Sequence, residues 1–333
     1  MAASQSSTFG FLLLPDFTAL AFAAAVEPLR LANYVAEREL YRWVLLSKDG
    51  HPVRSSAGFA VSVDHGLEDA PDLRLVTVCG GLGGHRFDDR QIVAWLRRAA
   101  SRGTVIGSLC LGSHLLARAG LLDGYSCTTH WENMSAMAET YPSITVKDQL
   151  YTVDRNRFTC AGGTAATDMM LYRIAADHGD KLAMQVAEEM LHDQVRKGTT
   201  PQQRTRAANT TERRELSIAI RIMQEHIEEP LDLSALSAQA GQSRRNIERL
   251  FKKYLAVSPA RYYLDLRLRR ARQLLWQTSM SVTEVAISSG FVSATHFSKC
   301  YRDHYGVSPR VDQSSRHQPF VLPKDESQAT LPR

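Results

Sequence analysis

An α/β fold is expected first, a doubly wound parallel sheet, and behind it an all-α domain with two helix-turn-helix units. Three observations predict this order. Short apolar runs alternate with helical patterns from residue 9 to residue 195. Apolar periodicity then lapses over 196–214. After that, one helical pattern occurs twice between residues 233 and 310.

The elements of the first part can be taken in turn. Phe9–Leu14 is an apolar run of strand length, and Ala19–Asn33 follows with Leu20, Ala23, Ala24 and Glu27 to Leu31 at helical spacing. Tyr41–Ser47 and Leu73–Cys79 are further strands, the second running into Gly80–Gly81. Asp88 and Asp89 stand where they can cap a helix Arg90–Ser101, whose apolar face is Ile92, Val93 and Leu96. Thr104–Leu109 is a buried strand that leads directly into a helix Ser113–Ala119, ended by Gly120. Strands and helices in alternation give a flavodoxin-like parallel sheet covered on both faces.

Composition sets the outer limits. At 333 residues, 44% of them hydrophobic, the chain has material for about two domains. The net charge of +5 is unevenly placed. Residues 204–333 hold 21 Lys/Arg against 13 Asp/Glu, while 1–203 hold 19 against 22. A basic module behind a slightly acidic one fits a polyanion partner for the second half, although an Arg-rich solvated surface would give the same count. The five cysteines are scattered, with no C-x-x-C pair. That argues against a disulfide framework or a zinc site and for a reducing compartment. No metal and no cofactor is expected. The apolar run Phe9–Val26 lacks a basic flank and is broken by Pro15–Asp16, so it reads as strand plus helix, and a cytoplasmic protein without membrane contact is expected. The domain boundaries expected are 1–195, a linker 196–214, a helical domain 215–313 and a disordered tail 314–333.

The repeated pattern carries the chemistry of the second half. Leu236–Ser237, Gly241, Ser243, Ile247, Phe251 and Ser258–Pro259 return as Val285–Ala286, Gly290, Ser293, Phe297, Tyr301 and Ser308–Pro309. The offset is 49 residues before the turn and 50 after it, so the second turn holds one extra residue. Gly241 and Gly290 stand where a first helix must end left-handed, and Ser243 and Ser293 where a second helix is capped. The units span about 233–254 and 282–305. Ile247/Phe251 and Phe297/Tyr301 anchor each second helix, which leaves its other face for a DNA groove. In the first unit that face carries Arg245, Asn246, Glu248 and Arg249. In the second it carries Ala294, Thr295, His296, Ser298 and Lys299. Arg pairs with guanine, Asn with adenine, and Thr or Ala with thymine methyls, whereas Lys252 is better placed for phosphate. A plain helical bundle with basic faces does not account for two matched units in register.

At these residues the chain resembles the AraC/XylS family of transcription regulators. SRRNIERLFKKYL, SPARYYLDLRLRRARQLL and SVTEVAISSGFVSATHFSKCYRDHYGVSPR match its DNA-binding domain almost throughout. The resemblance implies recognition of two adjacent major grooves and activation through contact with RNA polymerase.

In the first half, Gly107–Ser108–Leu109–Cys110–Leu111–Gly112–Ser113 has the form of a strand–nucleophile–helix elbow. A thiol at a helix N-terminus has its pKa lowered, and the free N–H groups there can hold a carboxylate. Cys110 is thus either a nucleophile or a small residue packing a tight turn. The surroundings (FGFLLLPDF, VCGGLGG, GSLCLGSHLLARAGLLDG, TTHW, GGTAATDMMLYRI) resemble the ThiJ/PfpI, glutamine-amidotransferase-like superfamily over about residues 9–180. Its enzymes, isonitrile hydratases included, place an acid on the first helix. The matching position here is Ala21, which carries no proton, so no catalytic residue is assigned and the protein is not expected to be an enzyme. A cysteine hydrolase or hydratase fused to a DNA-binding domain is the alternative, and a redox sensor built on Cys110 ranks below it.

The fusion of the two parts resembles a subgroup of regulators that includes the activators of glycine betaine and carnitine catabolism, through AVEPLRLAN, ELYRW, HWE, DRNRFT and RARQLLWQTSMS. That resemblance implies a small zwitterionic inducer. Cys110, Leu111 and Gly112 would hold its carboxylate, with Trp131 as an aromatic wall for the cation and His130 and Glu132 beside it. Core packing accounts for Trp131 equally well. Gly162–Gly163 and Thr164 are expected at a turn bordering the pocket. A homodimer through the first domain is implied by the superfamily.

Overall fold

The computed structural model describes residues 7–202 and 211–314, in two units that divide between Arg204 and Thr205. The first unit runs β1 (Ser7–Leu13), α1 (Ala19–Val35), β2 (Tyr41–Leu46), a short hairpin of β3 (Val53–Arg54) and β4 (Ala60–Val61), then β5 (Leu75–Cys79), α2 (Arg90–Ser101), β6 (Val105–Leu109) and α3 (Gly112–Arg118). It continues with β7 (Ser126–Cys127), a single 3-10 turn Trp131–Asn133, α4 (Met134–Thr140), β8 (Thr145–Val146), β9 (Tyr151–Asp154), β10 (Arg157–Cys160), α5 (Ala165–His178) and α6 (Asp180–Glu189).

The main sheet has the order β2-β1-β5-β6-β10-β9. All neighbours are parallel except β10 and β9, which form an antiparallel edge. The alternation of strand side chains divides the core in two. Phe9, Phe11 and Leu13 pack with Ala25 and Leu29 of α1, Met170 and Ile174 of α5 and Val186 of α6. Leu12, Val76, Val78 and Ile106 pack with Ile92 and Leu96 of α2 and Leu115 and Leu116 of α3. Each of the larger apolar side chains contributes about 1.5–3 kcal/mol on burial, and helices on both faces are what a buried parallel sheet demands. Of the two aspartates before α2, Asp89 takes the cap, accepting from the N–H groups of Gln91 and Ile92.

The second unit is helical: α7 (Thr211–Glu225), α8 (Leu233–Gln239), α9 (Arg244–Leu255), α10 (Pro259–Gln277), α11 (Val282–Ser288), α12 (Ala294–Tyr305) and α13 (Pro309–Ser314). Ser243 and Ser293 cap α9 and α12 through the N–H groups of Asn246 and His296, and Ser281 forms a reciprocal capping box with Glu284. Gly241 and Gly290 sit at φ +63° and +76°, a conformation that costs a β-carbon dearly. Ile247, Phe251, Phe297 and Tyr301 are at most 1% exposed.

Two stretches differ from the reading by composition. Of the 196–214 segment, residues 196–202 pack on the first unit and α7 already begins at Thr211, while 203–210 lie outside the described residues. Polar side chains made the segment look like linker, but Arg196 and Gln202 have partners far away in sequence. At the other end, Ser314 closes α13, and residues 315–333 lie outside the described residues. Asp312 in α13 is buried, accepting from Tyr301 Oη at 2.6 Å and Arg272 Nε at 2.9 Å.

Candidate functional site

In the first helix-turn-helix, the burial of Ile247, Leu250 and Phe251 turns Arg245, Glu248, Arg249 and Lys252 outward. Their spacing puts them on one exposed stripe of α9. Asn246 is turned elsewhere. Its Nδ2 donates to Glu215 Oε2 of α7 at 3.0 Å and to Gln242 Oε1 at 2.6 Å, which ties the helix start to its own unit. Arg249 is exposed yet engaged: Nη1 reaches Glu212 Oε1 at 2.9 Å and Nη2 reaches Asn246 Oδ1 at 2.8 Å. Lys253 and Tyr254 donate to the other Glu212 oxygen, and these three donors hold that carboxyl down at about 2. Sequence reading missed Glu212, because nothing in a helix's first turn announces a partner 37 residues on.

In the second unit Phe297 and Tyr301 turn Thr295, His296 and Lys299 outward, with Ala294 and Ser298 half-buried. The His296 ring lies 5.9 Å from that of Phe291, and its Nε2 is 3.3 Å from Cys300 Sγ. Thr295, Ser298, Lys299 and Arg302 follow one face of α12.

In the first unit the carboxyl ends of four parallel strands meet at one place. Gly80 N donates to Leu109 O, Thr18 N to Gly80 O, and Cys110 N to Cys160 O. Cys110 sits at φ +53°, the strained backbone of an elbow. Its carbonyl accepts from Ser113 Oγ and Thr129 Oγ1, and Thr18 Oγ1 lies 3.6 Å from its sulfur. Leu111 and Gly112 follow, both buried, and a β-carbon on Gly112 would strike the carbonyl of Val78. From the opposite side Gly162 packs so closely that its β-carbon would come 2.9 Å from that of Cys110.

Of the two readings of Cys110, this geometry favours the packed residue over the nucleophile. Burial raises the Cys110 thiol above its ordinary value and outweighs the Thr18 and Leu111 hydrogen bonds that favour the thiolate; the Glu132 charge raises it further. Neutral at physiological pH, the thiol is a poor nucleophile. Ala21, the position of the superfamily's acid, is 1% exposed in α1 and offers no proton. The hydroxyl nearest the sulfur is that of Thr18, which sequence reading did not weigh.

His130, Trp131 and Glu132 stand just beyond Thr129. Trp131 is 40% exposed, so core packing does not account for it. The His130 and Trp131 rings are 5.5 Å apart, and Glu132 Oε2 lies 3.7 Å from His130 Nδ1. Burial lowers the His130 pKa, with Glu132 opposing it. Thr164 begins α5 beside Gly162–Gly163, at the expected turn. Among the described residues no group of three or more His, Cys, Asp or Glu is placed to hold a metal, and no helix is long and apolar enough to cross a membrane.

The fold and the two capped units define an HTH-type transcriptional regulator whose N-terminal part has the DJ-1/PfpI fold. The family models agree: "Helix-turn-helix domain" matches residues 236–314 and "DJ-1/PfpI family" residues 21–176. The chain belongs to the AraC-type regulators that carry a DJ-1/PfpI domain. It is 46% identical over 330 residues to the HTH-type transcriptional regulator GbdR of Pseudomonas aeruginosa, covering 98% of this chain and 90% of that one. It is 41% identical to CdhR, an HTH-type transcriptional regulator of the same organism, covering 98% and 96%. A crystal structure of an AraC family transcriptional regulator from Pseudomonas putida superposes with a TM-score of 0.51 at 31% identity, covering 56% of this chain and 99% of that one. Relatives that match along nearly the whole chain are HTH-type transcriptional regulators, and the chain is a regulator of that kind.

Proposed function

We propose that this regulator binds a small zwitterionic metabolite at the carboxyl ends of β1, β5, β6 and β10, and that occupancy governs transcription through its two helix-turn-helix units. The observation that carries this reading is Trp131. A tryptophan 40% exposed beside a carboxylate, at the mouth of a strained and catalytically disarmed elbow, is the arrangement a quaternary ammonium group needs. Cys110, Leu111 and Gly112 take the carboxylate end of the ligand, while Trp131 with Glu132 takes the cation and His130 orients Glu132. The likeness of the sequence to regulators of betaine and carnitine catabolism supports the same ligand class.

On the DNA side, Arg245, Glu248 and Arg249 of α9 and Thr295, His296 and Lys299 of α12 face base edges in two successive major grooves. Ala294 and Ser298 support the second set, Asn246 fixes α9 on α7, and Lys252 meets phosphate. The protein acts as an activator that contacts RNA polymerase, and it dimerises through its first unit. Calorimetry of the full chain against glycine betaine, carnitine, dimethylglycine and arginine tests the ligand class. Binding of a quaternary ammonium compound that Trp131→Ala abolishes is the expected result, and heat from none of the four would sink it.

A further inference from the structure

Residues 192–202 form the last stretch of the first unit, immediately before the chain continues toward the DNA-binding helices. They are fastened at both ends. At one end Asp168, fully buried in α5, accepts from Arg196 N at 2.7 Å, Arg196 Nε at 2.9 Å and His192 Nε2 at 3.0 Å. Arg196 Nη2 also donates to Thr164 Oγ1 at 2.9 Å. In the middle, Leu150 N donates to the carbonyls of Gly198 and Thr200, and Gly198 lies so close on Tyr151 that a β-carbon would come 2.8 Å from it. At the far end Gln202 Nε2 donates to Thr129 O at 2.8 Å and Thr128 Oγ1 at 2.9 Å, and Gln202 N donates to Asp148 Oδ1.

The fastening at each end touches a wall of the candidate ligand site. Thr164 is two residues from Gly162, which packs on Cys110. Thr129 bonds the Cys110 carbonyl through its hydroxyl and Gln202 through its own carbonyl, and His130 follows it directly. The two ends differ in strength. A buried carboxylate matched by a guanidinium is costly to open, because either partner alone would be an uncompensated charge. The Gln202 amide is only half satisfied: its Oε1 is buried with no hydrogen-bond partner. A buried unmet acceptor offsets what the donor side gains, so this end releases first.

We infer that residues 192–202 are a strap that reports occupancy of the Cys110 site to the DNA-binding unit, with Arg196 as its fixed end and Gln202 as its releasable latch. The inference rests on the reading that this site holds a ligand. A ligand seated against His130–Trp131 shifts Thr128–Thr129 and frees Gln202, while Asp168 keeps the strap anchored. Arg196 and Gln202 are positioning residues and need not touch the ligand.

The test uses the full chain, an operator duplex selected from a random pool, and glycine betaine as the probe. Gln202→Ala, with Gln202→Met as a volume-keeping control for folding, is expected to move ligand-free operator affinity about fivefold or more toward that of betaine-saturated wild type. Betaine affinity by calorimetry should rise by a comparable factor, because the ligand no longer has to open the latch, and added betaine should no longer change operator binding. Hydrogen exchange of the Gly198, Thr199, Thr200 and residue-202 amides should rise in the variant as it does in liganded wild type. A Gln202→Ala protein with wild-type operator affinity and a full betaine response overturns the strap. If wild type binds no betaine, that ligand assignment fails by itself. The strap is then judged on ligand-free operator affinity and exchange, and unchanged values for both in Gln202→Ala overturn it.

Discussion

Arg267 of α10 donates Nη2 to the carbonyl of Gly290 at 2.7 Å and Nε to that of Ser289 at 3.0 Å, with its guanidinium 4.1 Å over the Phe291 ring. One side chain of the long helix therefore closes the end of α11 and holds the turn that launches α12. Gly290 is pressed from behind as well, since a β-carbon there would strike Ile227 O and Pro230 from the segment after α7. The second turn is thus built against the segment that leads into the first helix-turn-helix, and the spacing between the two reading helices is a packed property. Truncating Arg267 leaves two carbonyls without their charged donor. Hydrogen bonds to charged groups contribute about 1.5–3 kcal/mol each, less at a partly exposed site. Arg267→Ala should therefore destabilise the second unit by roughly 2 kcal/mol in urea unfolding. It should also weaken binding to a full operator more than to either half-site, and equal losses on all three would refute the spacing argument.

On the proposed DNA contacts, Glu212 would compete with DNA for the cations of α9. Its carboxylate engages Arg249, Lys253 and Tyr254, and the depressed pKa keeps it charged at any physiological pH. Because the pair is solvent-exposed, the restraint on Arg249 is modest. Glu212→Gln should raise affinity for operator by about 2–5-fold and steepen the salt dependence, because fewer cations are already neutralised. Filter binding over a salt series reads both, and a fall in affinity would mean that Glu212 presents Arg249 correctly for the groove.

Arg249 and Lys252 lie three residues apart on the same stripe of α9, and the proposed contacts give the first a base and the second a phosphate. Arg249→Ala should cost about 1–3 kcal/mol on operator and far less on unrelated DNA. Lys252→Ala should weaken both alike and reduce the salt slope by about one. Competition titrations with the two duplexes check the contrast, and the same specificity ratio for both variants would cancel it.

Much of this fold was legible because period and punctuation agree. Gly241, Ser243, Gly290 and Ser293 mark turn and cap by chemistry that acts within four residues, and the strand–glycine junctions at Gly80 and Cys110 are equally local. Two-residue strands such as Val53–Arg54 and Thr145–Val146 were not readable, since their pairing is fixed by tertiary contacts and leaves no period. The same holds for partners. Asp168 and Arg196 stand 28 residues apart, Glu212 and Arg249 37, and Gln202 and Thr129 73. Exposure of Trp131 was left open because a lone tryptophan reads alike as core or as wall. A helix start by itself favours the Cys110 thiolate and leaves nucleophile and packed residue both open; burial, which a linear sequence states poorly, acts the other way.

His114 in α3 predicts how the first unit responds to acid. Burial lowers its pKa from the ordinary 6.5 to about 3, with His85 and Arg118 pushing the same way. The unfolded chain binds this proton more readily, so the contribution to stability is complete above pH 6.5 and is lost as pH falls toward 3. At about 1.4 kcal/mol per pH unit, roughly 2–3 kcal/mol should be gone by pH 4.5. His130 adds to the same slope. Urea unfolding at the two pH values should show a smaller difference in His114→Leu than in wild type, and an identical difference would assign the acid sensitivity to other groups.

Cys110 decides between a sensor and a disarmed enzyme at the level of chemistry. Its thiol is 8% exposed and its pKa is raised, chiefly by desolvation, so little thiolate exists at pH 7. The side chain fills space between Thr18 and Gly162, a role that serine or alanine performs with small loss. In a Cys300→Ser background, which removes the one thiol among the described residues that is not buried, iodoacetamide should label Cys110 far more slowly than free cysteine at pH 7. Cys110→Ser should retain ligand binding and the transcriptional response within about threefold, since no bond to sulfur is made. Rapid labelling together with loss of response in the serine variant would restore a nucleophile to the elbow and with it the need for a proton acceptor that Ala21 does not provide.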